Sequence, residues 1–186
     1  MAFDPKTLEG ISEKLITSHW EHNYLSSVKS LNAVRIKLRV ALEQKDLPPF
    51  VYAGLKREHL MRTGSVINHD LYFENLGGRG GAPEKIQQKI AKSFGSFELW
   101  EKEFRLIGNG LSGASGWVVL GLNKHLGLLE NYWCFDHLHS IPALEPILVM
   151  DMYEHSYQMD YGAAADKYID AFFQNINWEV VEGRVS

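Results

Sequence analysis

Apolar residues recur at helical steps through the first part of the chain. From Glu13 to Lys45 there is no glycine or proline, and Ser12 stands where an N-cap belongs. Leu31, Val34, Leu38, Ala41 and Leu42 fall at three- and four-residue intervals, which predicts a helix with one apolar face. Pro48-Pro49 interrupts it, and a second helix is expected from about Leu55 to Leu76. The run Gly77-Gly78-Arg79-Gly80-Gly81 ends this helical half. After Pro83, Ile86, Ile90 and Phe94 mark a third helix, and Ser96 caps a fourth over Phe97 to Leu106, ending near Gly108.

The pattern then changes. Gly116 to Leu122 is β-rich, Asn123-Lys124 offers a turn into Leu126 to Phe135, and Pro146 to Asp151 reads as a third, buried strand. Tyr168, Ile169, Phe172 and Phe173 belong to a closing helix. Helices first, then strands and helices together, predict an α+β fold. We expect an N-terminal helical hairpin plus a C-terminal lobe with a three-stranded antiparallel sheet flanked by helices. The lobes are residues 1–80 and 81–186, with the seam at the glycine-rich run.

Composition removes several function classes. The 186 residues are 45% hydrophobic and 23% charged, which suits one globular domain or two small lobes sharing a core. With 23 acidic against 19 basic residues there is no cationic surplus for displacing counterions, so no nucleic-acid partner is expected. No apolar run reaches the length of a membrane span, and the opening MAFDPKTLEG lacks the apolar stretch of a secretory signal. The single cysteine, Cys134, excludes an intrachain disulfide and fits a reducing compartment, so a cytoplasmic protein without a membrane partner is expected. The glycine-rich run follows a helix and lacks a Lys-Ser/Thr pair, which makes it a linker rather than a phosphate loop. Trp20, Tyr24, Tyr72 and Trp133 are read as core or interface residues.

Of the eight histidines, His59, His125 and His139 lie in polar contexts and are expected to face solvent. His19 and His69 sit on predicted helices among apolar or aromatic neighbours. Asp151 ends an aliphatic run, so its carboxylate should be buried and in need of a partner. His155, four residues on, faces the same point if the chain turns helical there. One carboxylate with several imidazoles suits Fe, Mn or Zn; a buried Asp–His pair is the alternative.

Four ordered blocks resemble the iron/manganese superoxide dismutase family, over about Ile11 to Arg184. They are Asp151-Met152-Tyr153-Glu154-His155, the stretch onward to Asn175-Ile176-Asn177-Trp178, Asn68-His69-Asp70-Leu71-Tyr72-Phe73, and Ser115-Gly116-Trp117. The resemblance implies that His19, His69, Asp151 and His155 ligate one Fe or Mn ion, with iron favoured and His22 the competing first ligand. It implies an oxidoreductase that disproportionates superoxide to O₂ and H₂O₂ without an organic cofactor. His137 stands where a minority branch of the family places a histidine that tunes the site, Ser65 being too short at the alternative position; a surface loop residue is the other reading. The candidate catalytic residues are therefore His137, Tyr153 and Trp117; by the resemblance Tyr153, Phe73 and Val119 each stand where the family has tryptophan, which thins the aromatic surround. By the same resemblance Glu154 reaches across a homodimer interface to the partner's ligand histidine, with Asn23 and Gln158 nearby, in a homodimer or homotetramer.

The chain also departs from the family pattern. Ser27 replaces the gateway tyrosine, Asn23 and Gln158 replace a histidine and a tyrosine, and Ala164 and Ala165 stand where an arginine is expected. Proton delivery and anion steering must then use other groups, with Arg79 and Lys29 as candidate cations. Two rival readings follow: a metal oxidase or oxygenase on the same scaffold, and a structural relative without enzymatic activity.

Overall fold

The computed structural model describes residues 1–185. Its elements are α1 (Glu13–Ser18), α2 (Leu25–Ala41), α3 (Pro49–Glu74), α4 (Glu84–Phe94), α5 (Phe97–Gly110), β1 (Gly116–Asn123), β2 (Leu128–Phe135), β3 (Leu144–Asp151), α6 (Gln158–Tyr161), α7 (Ala165–Gln174) and α8 (Trp178–Arg184). This is the expected α+β arrangement. The antiparallel sheet has the order β2-β1-β3, with β1 in the middle. No helix among the described residues is long and apolar enough to cross a membrane.

The expected first helix forms, but it is not uniform. Ser12 Oγ accepts from the Leu15 N–H at 3.1 Å and caps α1. Between α1 and α2 the chain passes through a π-helical turn over His19–Tyr24, closed by the Leu25 N–H bonding to the Trp20 carbonyl. The wider turn carries an extra residue, so the faces of α1 and α2 are offset from one another. No residue type marks such a turn in a sequence. Leu31, Val34, Leu38 and Ala41 are buried as expected, whereas Leu42 is exposed because α2 stops at Ala41.

The second helix starts at Pro49 rather than near Leu55. Proline fits the first helical position, where no intrahelical N–H bond is required, so Pro48-Pro49 opens α3 as well as separating it from α2. Ser96 caps α5, its Oγ accepting from the Leu99 N–H. The second strand begins at Leu128 rather than Leu126, since Gly127, at φ +70°, closes the hairpin by donating to the Asn123 carbonyl at 2.7 Å. The short helices α6 and α8 are not assigned by the sequence pattern; α8 is capped by Asn177, whose side chain accepts from the Val180 N–H.

The core lies between the sheet and the helices. Ile86 and Ile90 of α4, Trp100 and Phe104 of α5, Tyr168 and Phe172 of α7, and Ile147 to Met150 of β3 are all fully buried. Polar clasps join distant parts of the chain around it. Asn75 Nδ2 donates to the Val149 carbonyl at 2.6 Å. Arg184 donates to Asn75 Oδ1 and to the Ile147 carbonyl. Asn175 exchanges hydrogen bonds with the backbone of Glu9, and Leu76 pairs with Ile176 in an isolated antiparallel bridge.

Two glycines inside α3 have opposite surroundings. A Cβ on the exposed Gly54 would have no heavy atom within 4 Å, whereas one on Gly64 would meet the His137 backbone. Gly54→Ala should therefore stabilise the protein by about 0.5–1 kcal/mol through helix propensity. Urea unfolding should show a higher midpoint at an unchanged m-value; a lower midpoint would contradict the open environment.

Candidate metal centre

Four side chains converge between the two halves. His19 sits at the start of the π-helical turn, His69 on α3, Asp151 at the end of β3 and His155 in the short 3₁₀ turn Glu154–Ser156. One ligand atom from each lies within 4.8 Å of the others. Asp151 Oδ2 is 3.1 Å from His19 Nε2, 3.5 Å from His69 Nε2 and 3.2 Å from His155 Nε2. The sheet register pairs Asp151 with Trp117 of β1. After β3 the turn is fixed by the Tyr153 N–H donating to Asp151 Oδ1 and by the Ser156 and Tyr168 hydroxyls donating to the Asp151 carbonyl.

The donor set fits a cation. Nε2 of His19 and Nε2 of His69 are buried beside Asp151 Oδ2 without a hydrogen-bond partner, a costly state unless an ion accepts their lone pairs. His69 Nδ1–H donates to the Ser65 carbonyl at 2.7 Å, which fixes the tautomer and leaves Nε2 bare toward Asp151. Burial lowers the pKa of His19, and lowers that of His69 to about 3, so both are neutral near pH 7. Burial alone would raise Asp151, but His155 and His19 beside it hold its carboxyl well below the usual range. One anionic oxygen with neutral imidazoles matches the preference of Fe, Mn or Zn.

His22, the competing ligand, is exposed and lies outside this group. His125 and His139 are exposed as expected, but His59, on α3, is half-buried. Trp133 lies exposed on the edge strand β2, stacked on Phe135.

Aromatic rings surround the group. His19 packs against Tyr72 and Phe73, and His69 meets Trp117 edge-on at 5.0 Å. The Tyr153 ring lies between His137 and His155, stacked on them at 4.7 and 5.3 Å. Trp117 Nε1–H donates to His137 Nδ1 at 3.1 Å, so the neutral ring carries its hydrogen on Nε2. Burial lowers the His137 pKa against the opposing pull of Asp151, with a smaller contribution from the nearby Arg62 cation. Arg79 and Lys29, the candidate cations expected from the sequence, are both exposed. It also missed the buried pair made by Ser27 and Ser65, whose hydroxyls lie 2.9 Å apart beside His69. Two serines on separate helices carry no spacing that reveals such a contact.

The lowered histidine pKa values set the sign of a pH dependence in the metal-free chain. An unfolded histidine takes a proton near pH 6.5, whereas buried His19 and His69 resist it, so stability falls as pH drops below 6.5. For His69 this loss continues down to a pH of about 3. Each histidine should cost about 1.4 kcal/mol per pH unit within its window. Urea titrations of chelator-stripped protein at pH 7 and 5.5 test this, and equal stabilities would refute burial in the neutral form.

Known proteins give an independent comparison. Residues 82–184 match the family described as iron/manganese superoxide dismutases, C-terminal domain. The iron superoxide dismutase of Cupriavidus metallidurans is 47% identical over 176 residues, covering 95% of this chain and 89% of that protein. That of Aquifex pyrophilus is 35% identical over 187 residues, covering 97% and 86%. The manganese superoxide dismutase of Mycolicibacterium smegmatis is 30% identical over 178 residues, covering 94% and 84%. Likeness of this extent, running through all four converging side chains, makes the chain a member of the iron/manganese superoxide dismutase family.

Proposed function

We propose that the chain is a superoxide dismutase, with His19, His69, Asp151 and His155 holding one iron or manganese ion. The observation that carries this reading is the set of bare, buried imidazole nitrogens facing a single carboxylate oxygen. When bound, the ion supplies a one-electron redox cycle that converts two superoxide anions and two protons into O₂ and H₂O₂. Iron is favoured over manganese, on the strength of the 47% identical relative.

The protein's own residues do the remaining work. Asp151 neutralises part of the cation's charge, while its other oxygen is tied to the Tyr153 N–H and cannot swing away. The Ser65 carbonyl orients His69. Trp117 holds His137 Nδ1, so that His137 Nε2–H serves as the proton donor facing the reactants. Tyr153, stacked on both histidines, limits ring rotation and the entry of water. With Ser27 where the resemblance implies a tyrosine, proton supply rests on His137, and Arg62, which is itself paired with Glu58 at 2.7 Å, is the nearby cation that can favour anion approach.

Assembly belongs to the same proposal. His155 has 26% of its side chain exposed, whereas those of His19 and Asp151 are at 0%. It lies with Glu154 and Gln158 along an open surface depression. We read this face, with Asn23, as the interface of a homodimer or a homotetramer. The division into lobes 1–80 and 81–186, supported by the family match from residue 82, is part of this reading. So is residence in the cytoplasm, supported by the lone Cys134.

Metal content per chain, measured with superoxide turnover at two ionic strengths, tests the function. The expected result is about one Fe or Mn per chain and turnover that falls as salt rises. Bound metal with negligible turnover, or an empty protein, would overturn it. His137→Leu should keep the metal but lower turnover about 10–100-fold, as changes around metal ligands typically do. Loss of metal in that variant would refute a role beside the ligands.

A further inference from the structure

Gly64 lies in the interior of α3, where glycine weakens a helix and alanine would strengthen it. Its surroundings explain the choice. A Cβ at this position would stand 2.0 Å from the His137 carbonyl oxygen and 3.1 Å from its carbonyl carbon. Both are backbone atoms, so no side-chain rotation relieves the overlap. The helix and the loop after β2 thus touch main chain to main chain. The loop is also held at its start, where the Asp136 N–H donates to the Ser115 carbonyl and Asp136 adopts φ +57°.

We propose that Gly64 is a positioning residue for His137, and that the absence of its side chain sets where the imidazole stands relative to Trp117 and Tyr153. Allowing a Cβ its normal approach of at least 3.0 Å means moving the carbonyl by about 1 Å. The bond from Trp117 Nε1–H to His137 Nδ1 is 3.1 Å long, and such a shift takes it beyond hydrogen-bond range. The ring then loses the contact that fixes its tautomer, together with its seat on Tyr153. The consequence for the ion rests on the dismutase reading; the steric claim does not.

The test uses iron-loaded wild type, Gly64→Ala, His137→Leu, the double variant, and Gly54→Ala as a control in the same helix. Iron per chain, the midpoint potential of the bound iron, the pH profile of turnover and the exchange rate of the Trp117 indole hydrogen are measured. Gly64→Ala should keep its iron, lose about 10–100-fold in turnover and shift the potential in the same direction as His137→Leu. The double variant should match His137→Leu alone, because both changes act through one ring. Gly54→Ala should leave all four readouts unchanged. A wild-type potential and pH profile in Gly64→Ala, or additive shifts in the double variant, would overturn the proposal.

Faster indole exchange in Gly64→Ala supports the steric claim even if wild type proves unable to dismutate, so failure of the function and failure of this inference are separable. Unchanged exchange overturns it. Should Gly64→Ala be insoluble, one glycine inserted between His139 and Ser140 gives the loop room to step back. Recovered solubility then supports the contact as the cause, and continued insolubility overturns it.

Discussion

The Asp151 carboxylate is fully buried, and its charge has to be answered by something within a few ångströms. Leaving such a charge unpaired costs on the order of 3–5 kcal/mol, a large fraction of the stability of a domain this size. Three imidazoles come from three different places to meet it: a π-helical turn, the C-terminal part of a long helix and a 3₁₀ turn. Much of the architecture can be understood as the means of bringing these segments together. The sheet register fixes Asp151 beside Trp117, α3 aims His69 through the Ser65 carbonyl, and the turn after β3 is tied down at both Asp151 and Tyr153.

What the sequence disclosed was whatever repeats or stands in order. Helical spacing in α2 and α4, the β-rich runs and the ordered blocks around His69 and Asp151 were enough to give the α+β class and the four converging residues. The hidden parts depend on contacts between segments that share no pattern. A π-helical turn differs from an α-helical one by a single hydrogen-bond offset, which no residue type announces. Pro49 read as a break because proline both ends and begins helices, and only the direction of the chain distinguishes the two. Gly64 falls inside the expected second helix, but its contact with the His137 backbone is a tertiary one that no local pattern carries.

The departures from the family pattern also acquire a physical meaning. Ser27 does not stand as an isolated gap where a larger side chain belongs; its hydroxyl is hydrogen-bonded to Ser65 and nearly buried. The two small side chains satisfy each other, so no unpaired hydroxyl is left there. His69 thereby borders a compact polar pair on one side and the Trp117 edge on the other. Two serines far apart in sequence thus form one contact in space.

The placement of the four converging residues along the chain also governs when the centre can exist. His19 and His69 leave the ribosome well before Asp151 and His155, an interval on the order of ten seconds at ordinary rates of synthesis. The clasps from Arg184 to Asn75 and Ile147 close only after nearly all of the polypeptide has emerged. A nascent chain therefore offers an ion two lone histidines, a weak and unselective pair. Discrimination between metals has to be exercised by the finished protein, against whatever pool the cell supplies at that moment.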